Sequence, residues 1–596
     1  MKSTHIFMAV AASVGAASAG SSCSTSLADV CSVANAQAAL PADGTFNGIT
    51  INVDSVTVNA VYNQAVEAGS NFPAGVINYC NITFSYSHDG ADDTVLVQYW
   101  MPAPGDFTNR FLATGGGAYS INGQGSNQPG GLLYGAASGM TDGGFGGFDV
   151  SFDTIVLLGN GTINWPAVYM FGYQAIKEMT AIGKVFTSNF FSVDSSAKLY
   201  SYYQGCSEGG REGWSQIQQA GDLYDGLVVG APAMRYGQQQ ANHLFPAVLE
   251  TNLSYFPPPC ELEKIVNLTI AFCDPLDGKT DGVISRSDLC LLQFDLNSTI
   301  GEPYYCAAGS SGAGGGVVGP GKRKRQSDGS TTPAQNGTVS AEGAALAKAL
   351  QSGLHDSLGR KAYIYFQPGA SFGDASTSYN SSTGTWTNEI TTNSAEWITK
   401  FLNLQKDGSL SLDELTPDVL RDYMVQGMEL YWNSLQTTLP DLTPFYENGG
   451  KVIHFHGEQD SSVPTGSSAH WYESVRSIMY AGISYNESVA AMSSWYRFFP
   501  VPGAAHCGPN SAQPNGPFPQ AQFASIIDWV ENGIEPVTLN ATFLAGDYEG
   551  DSTSLCSFPL RPYWSDPDSL VPDCVYDQAS IDSWTYDLNA FKMPIY

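Results

Sequence analysis

Lys198-Leu199-Tyr200-Ser201-Tyr202-Tyr203-Gln204-Gly205-Cys206-Ser207-Glu208-Gly209-Gly210 is the stretch on which the fold turns. Its first half, through Tyr203, reads as a buried strand, and from Trp214 to Ala220 the spacing is helical. The glycines between them therefore mark a sharp reversal. Gly205, Ser207 and Gly209 satisfy Gly-x-Ser-x-Gly, in which a strained strand-to-helix turn lifts a serine hydroxyl above a sheet, and small flanking residues remove the clashes. The motif alone is common by chance. With a strand before it and a helix after it, Ser207 is a candidate nucleophile rather than part of a merely structural turn.

Outward from this turn, strand and helix patterns alternate. Phe111-Leu112-Ala113 runs into Gly115-Gly116-Gly117, Thr154–Leu158 reads as a strand, Trp165–Val185 carries helical apolar spacing, and Leu227–Gly230 is a further buried strand. The rhythm stops between about Gln240 and Gly427, a segment with four cysteines, five Asn-x-Ser/Thr sequons, an acidic loop and a Gly-rich run. It resumes with a strand at Lys451–His456, a helix at Ser468–Met479, a strand at Trp495–Val501 and a helix at Gln520–Glu531. This predicts an α/β fold of mostly parallel strands. The predicted division is a signal peptide at 1–19, a catalytic domain from 20–240 and 428–596, and an inserted domain over 241–427.

The N-terminus has Lys2, an apolar run from Ile6 to Val14 and then Ala17-Ser18-Ala19, which predicts export with cleavage after Ala19. No later run reaches the ~18 apolar residues of a membrane helix. The eleven cysteines are scattered and show no CxxC pairs, which suits disulfides in an oxidising compartment and leaves one cysteine over. Sequons at Asn81, Asn160, Asn252, Asn267, Asn297, Asn336, Asn380, Asn486 and Asn540 predict a secreted glycoprotein. With 25 basic against 56 acidic residues among 596, the net charge of −31 disfavours nucleic acid and anionic membrane surfaces as partners.

A serine hydroxyl needs a base, and the base an orienting acid. The chain order Ser, Asp, His is that of α/β-hydrolases. Asp460 follows the strand at 451–456 and His506 the strand at 495–501, both in loops at carboxyl ends of strands where such sites lie. Glu458 is the alternative acid, and His454 and His456, flanking Phe455 within a strand, read as packing or supporting residues. The oxyanion donors are expected from the N–H of Glu208 and from the Gly-rich loop at Gly116. Cys206 points the other way from Ser207 in such a turn, which disfavours it as a nucleophile.

The proposed nucleophile and base each carry a cysteine neighbour, Cys206 and Cys507. On the Cys206-Ser207, Asp460 and His506-Cys507 set, the sequence resembles the fungal tannase and feruloyl esterase family over nearly the whole mature chain. The resemblance implies an α/β-hydrolase fold with a large inserted lid, a bridge between Cys206 and Cys507, and hydrolysis of phenolic esters through an acyl-enzyme. Within that family the length and the basic run look more like the galloyl-ester branch than the feruloyl-ester one. A non-catalytic glycan-binding protein is the reading from another class, and it leaves the ordered triad without a reason.

Asp277, Asp281, Gly282 and the Val283 carbonyl fall at positions 1, 5, 6 and 7 of an EF-hand-like calcium loop, with Asp288 at 12 and Lys279 departing from the pattern at 3. The resemblance implies a structural Ca²⁺ held by Asp274, Asp277, the Lys279 carbonyl, Asp281 and the Val283 carbonyl. Lys322-Arg323-Lys324-Arg325, in a Gly/Ser/Thr-rich stretch, reads as a site for a dibasic protease of the secretory pathway. A cut after Arg325 predicts two chains, with Ser207 on one and Asp460 and His506 on the other.

Overall fold

The computed structural model describes residues 26–309 and 332–596. The expected signal peptide, Cys23 and the basic run at 322–325 lie outside the described residues.

Strands β1 (Ile49–Val66), β2 (Gly75–His88) and β3 (Val95–Pro102) form an antiparallel meander that continues antiparallel onto β5 (Ala136–Thr141). Five more pairings are parallel, linking β5 to β4 (Arg110–Thr114), β6 (Tyr200–Cys206), β7 (Gly226–Gly230), β8 (Lys451–Gly457) and β9 (Tyr496–Val501). The order is β1-β2-β3-β5-β4-β6-β7-β8-β9. β7 is buried along its whole length, as a strand covered on both faces must be, which is why Gly-Leu-Val-Val-Gly contains no polar residue. This is the α/β-hydrolase sheet with its nucleophile strand near the centre.

Seven helices matter for the site: α1 (Ala175–Phe190), α2 (Glu208–Ala220), α3 (Tyr236–Asn242), α4 (Pro259–Cys273), α5 (Pro417–Tyr431), α6 (Thr465–Met479) and α7 (Gln522–Asn532). The helix expected over 165–185 is longer and interrupted. Trp165–Tyr169 is α-helical, Met170–Gln174 is a π turn, and α1 follows. The carbonyls of Phe171 and Gly172 in that turn accept hydrogen bonds at 2.9 and 2.8 Å from buried Arg211 on α2. Such widened turns commonly mark functional places in a helix.

The strand expected at Thr154–Leu158 is not in the sheet. Phe152–Thr154 is a 3₁₀ turn, and Leu157–Gly159 pairs with Thr162–Ile163 in a separate two-stranded ribbon. The neighbouring strand is instead β5, whose Ala-Ala-Ser-Gly-Met-Thr is buried throughout. Small residues are required there: a Cβ on Gly139 would lie 2.7 Å from the Met179 sulfur and 2.9 Å from Tyr99.

Five disulfides, Cys31–Cys80, Cys206–Cys507, Cys260–Cys306, Cys273–Cys290 and Cys556–Cys574, pair the ten described cysteines. Segment 241–427 contains α4 and most of α5, which runs on past its end to Tyr431, and two of these bridges are internal to it. α5 packs on α3 through glycines on both sides, since a Cβ on Gly237 would meet the Gly427 carbonyl carbon at 2.9 Å. Eight sequon asparagines are exposed; Asn81, in β2, is the exception, with its side-chain oxygen buried. Among the described residues no helix is long and apolar enough to cross a membrane.

Candidate active site

β6 ends at Cys206 and α2 begins at Glu208, so Ser207 alone makes the reversal. Its φ of 66° lies in the left-handed region, costly for a non-glycine residue by about 1–3 kcal/mol. The surroundings hold it there. Its N–H donates to the Gly230 carbonyl at 3.0 Å, and its carbonyl accepts from the N–H groups of Arg211 at 3.1 Å and Ala233 at 3.2 Å. The flanking glycines serve close approach: a Cβ on Gly205 would meet the Gly209 oxygen at 2.6 Å, and one on Gly209 the Gly116 oxygen at 2.9 Å.

Asp460 and His506 follow β8 and β9. The His506 Nδ1–H donates to Asp460 Oδ2 at 2.6 Å, leaving Nε2 as the other ring nitrogen. Asp460 Oδ1 accepts the N–H groups of Ser462 and Val463 at 2.7 and 2.9 Å. Burial by itself would raise the Asp460 carboxyl. The charge of His506 and hydrogen bonds from His456 and His506 outweigh it, and hold the group below the ordinary carboxylate range. The carboxylate stays ionised and oriented.

Behind Asp460 lies a buried chain that the sequence only hinted at. His456 Nε2 approaches Asp460 Oδ2 and the Val463 carbonyl, each at 3.0 Å; both are acceptors, so Nε2 carries the proton. His456 Nδ1 then accepts from Ser468 Oγ at 2.7 Å, Ser468 accepts from His454 Nε2 at 2.9 Å, and His454 Nδ1 accepts from the Tyr496 hydroxyl at 2.9 Å. Burial, then the proximity of His456, pushes His454 well below the usual histidine range, so it is neutral.

Glu458, the alternative acid, is engaged elsewhere: its Oε2 accepts from Ser287 Oγ and from Arg561 at 2.8 Å. Ser207 and His506 come together through their neighbours. Cys206–Cys507 holds the two Cα atoms 6.1 Å apart, and both chemistry-bearing residues line one cavity of about 540 Å³. Glu208 and Gly116 line it too. Glu208 stands at the first helical position of α2, where an N–H has no acceptor within the helix.

The N–H of Gly116 does not fill the role expected of it. It donates to Glu212 Oε2 at 2.9 Å, an oxygen that also accepts from the Tyr203 hydroxyl at 3.3 Å. Glu212 therefore clamps the Gly-rich loop against α2 and takes the donor assigned to the oxyanion. Arg211 lies beside it, donating to Glu208 Oε1 at 2.6 Å. Burial raises the Glu208 carboxyl to about 7, with the Arg211 charge opposing the shift. The sequence carried one signal for this cluster, namely three ionisable residues within the first two turns of a helix that must face a sheet.

The acidic loop lies away from this cavity. The carboxylates of Asp274, Asp277 and Asp281 accept the main-chain N–H groups of Asp281, Lys279 and Val283 at 2.9, 2.9 and 3.2 Å. The Lys279 ammonium turns out to the Ser569 carbonyl at 2.8 Å, and the Trp564 N–H binds the Asp277 carbonyl. Burial, and then the neighbouring carboxylates, raise Asp277 to about 7 and Asp281 to about 6. Among the described residues no three His, Cys, Asp or Glu side chains cluster closely enough to hold a metal by themselves. The donor set fits a hard cation only with the carbonyls of Lys279 and Val283 included. Asp288, expected at the twelfth position, is instead bound by Arg286 at 2.8 Å and Arg561 at 3.2 Å.

The family model described as tannase and feruloyl esterase matches residues 80–577. The tannase of Aspergillus oryzae is 52% identical over 599 residues, covering 99% of this chain and 100% of the relative. A probable feruloyl esterase of Arthroderma benhamiae is 28% identical, covering 84% and 86%. Among solved structures, a tannin acyl hydrolase from Aspergillus niger superposes with a TM-score of 0.91 at 53% identity, covering 96% of this chain and 100% of that one. Feruloyl esterase B from Aspergillus oryzae shares the fold, with a TM-score of 0.66 at 23% identity, covering 91% and 100%.

Proposed function

The chain belongs to the tannase and feruloyl esterase family and is a carboxylic ester hydrolase, and from that premise we propose that it hydrolyses galloyl esters of tannins. The observation that carries this reading is the 52% identity over 99% of the chain to a relative named tannase, against 28% to a relative named feruloyl esterase. Turnover of methyl gallate and methyl ferulate by the purified protein tests it. A kcat/KM for the gallate at least about tenfold higher supports it, and the reverse order makes the chain a feruloyl esterase. Absence of labelling by a fluorophosphonate would leave a binding protein instead.

In this mechanism Ser207 Oγ attacks the ester carbonyl while His506 Nε2 takes its proton. Asp460, bonded to Nδ1, fixes the ring and stabilises the imidazolium. The developing oxyanion faces the unpaired end of α2, where the N–H of Glu208 lies and the helix dipole favours negative charge. His506 then protonates the leaving alcohol oxygen, the C–O bond breaks and the acyl-enzyme forms. A water deprotonated by His506 attacks the acyl carbon and releases the phenolic acid and free Ser207.

The same proposal includes secretion, glycosylation at the exposed sequons and cleavage after Arg325. Supporting the last, the Gly309 N–H donates to the Thr332 carbonyl at 2.8 Å, so the two ends flanking the basic run lie together. Calcium belongs to the proposal too, held by Asp274, Asp277, Asp281 and the carbonyls of Lys279 and Val283. When bound, it would neutralise these buried carboxylates and tie segment 241–427 to the C-terminal residues around Trp564. Its role there is structural.

A further inference from the structure

Glu212, one turn beyond Glu208 on α2, is fully buried and lies directly behind the cavity wall. Gly116, which lines the cavity, gives Glu212 its N–H, and a Cβ on Gly115 would come within 2.2 Å of the same carboxylate oxygen. Two carboxyl groups, Glu208 and Glu212, are therefore buried with one guanidinium, that of Arg211.

The hydrogen bonds show which carboxyl that guanidinium serves. Arg211 has five N–H donors. Its Nε and Nη2 both approach Glu208 Oε1, at 2.6 and 2.5 Å; Nη2 also donates to the Phe171 carbonyl at 2.9 Å, and Nη1 to the Gly172 carbonyl at 2.8 Å and Thr437 Oγ1 at 3.4 Å. All five are spent and none reaches Glu212. The Tyr203 hydroxyl has one proton to give, and the Gly209 carbonyl at 2.6 Å is a nearer acceptor than Glu212 Oε2 at 3.3 Å. Glu212 Oε1 has no partner among the described residues. One main-chain N–H and a weak share in a phenol do not hold a buried charge, whereas a neutral carboxyl group needs no counter-ion.

The other groups facing Glu212 bring no charge to offset it. Burial keeps Tyr203 of β6 and Tyr224, ahead of β7, well above the ordinary phenol range, and the Gly-rich loop has no titratable side chain. Tyr236 of α3, whose ring lies 5.9 Å from the Arg211 guanidinium, is raised in the same way. Burial, and then the Glu208 carboxylate, push the Glu212 carboxyl well above its ordinary value, with the Arg211 charge opposing.

We infer that Glu212 is a positioning residue that works as a neutral acid: it carries a proton in the active enzyme and fixes the Gly-rich wall of the cavity through Gly116 without bringing charge to it. An ionised Glu212 would set an unpaired negative charge immediately behind the wall of the cavity in which attack by Ser207 creates an oxyanion, and buried charges repel strongly. Loss of this proton as pH rises therefore lowers the rate. The inference rests on Ser207 as nucleophile and is independent of which phenolic acyl group the enzyme prefers.

The test measures kcat and KM for wild type, Glu212→Ala and Glu212→Gln on methyl gallate, or on methyl ferulate if wild type prefers it, anaerobically from about pH 5 to about pH 10. Far-UV circular dichroism at each pH restricts the comparison to folded protein. Near pH 6, Glu212→Ala should lower kcat about 10- to 100-fold with KM within about twofold, because the loop is no longer held. Glu212→Gln, whose amide oxygen still accepts the Gly116 N–H, should restore kcat to within about threefold of wild type. With rising pH, kcat of wild type should fall through a group that is missing from the Glu212→Gln profile. A Glu212→Gln enzyme as slow as Glu212→Ala overturns the inference, since the charge would then be required, and so do superimposable pH profiles for wild type and Glu212→Gln. Should the variants not fold, neutron diffraction from wild-type crystals near pH 6 decides: deuterium on the Glu212 carboxyl supports the inference, and a bare carboxylate overturns it. Full activity in Ser207→Ala would refute the reading of the site itself, a result the neutron measurement does not depend on.

Discussion

His456 donates to Asp460 on the same carboxylate oxygen, Oδ2, that receives the His506 proton. Asp460 is thus fixed from behind by one histidine while it fixes the histidine in front. We expect His456→Ala to lower kcat on methyl gallate by about 10- to 100-fold with KM little changed, because a loosened acid misplaces the base by a fraction of an ångström. If KM rises and kcat holds, His456 is a packing residue only.

Ser207→Ala should abolish turnover, by about 10⁴-fold or more, as residues that act as a unit do. The protein should stay folded, since the hydroxyl makes no core contact and the backbone strain at φ 66° is held by main-chain bonds. His506→Ala should be as severe, and Ser207→Ala/His506→Ala no slower than either. A double variant far slower than both singles would show that the two residues do not work together.

Cys206–Cys507 spans 301 residues and, among the described disulfides, it alone would connect fragments produced by cleavage after Arg325. Loop-closure entropy assigns such a bridge about 5–6 kcal/mol, but its placement beside nucleophile and base makes its effect on rate the larger. Cys206→Ala/Cys507→Ala should retain measurable folded protein while losing at least about 100-fold in kcat. The processed wild-type enzyme should run as one species without reductant and two with it. A single reduced band shows that no cut occurred.

Chelation should lower the melting temperature without changing turnover at temperatures where the protein stays folded. None of the acidic-loop residues lines the cavity, and the proposed ion would brace the loop where the Trp564 N–H binds the Asp277 carbonyl. Loss of turnover in a fully folded, chelated enzyme would instead place the ion in the chemistry.

His88, at the end of β2, donates to Asp93 and lies 3.0 Å from Glu178 of α1. Burial favours the neutral ring, but the two carboxylates outweigh it and raise the group above its ordinary value. A raised histidine stabilises the fold fully below its unfolded value of about 6.5, and the contribution fades as pH rises through the folded value. His88→Gln should therefore lower the melting temperature most near pH 5–6, with the deficit shrinking toward pH 9. A deficit independent of pH would refute the linkage.

The nucleophile turn, the two loops bearing acid and base, and the parallel half of the sheet were legible because each is local: a strand, a turn and a helix leave their periodicities in consecutive residues. β5 was not. Its Ala-Ala-Ser-Gly-Met-Thr has neither alternation nor bulk, because Met179 and Tyr99 crowd Gly139 from outside the strand. The expectation for Gly116 failed for a related reason, since whether its N–H is free depends on Glu212, 96 residues away, which closed on it first. The sequence by itself determined which residues could do the chemistry and on which kind of turn they stand. Only the tertiary structure decided which of their donors and acceptors are left over for a ligand, because that depends on partners brought together by packing and not by neighbourhood along the chain.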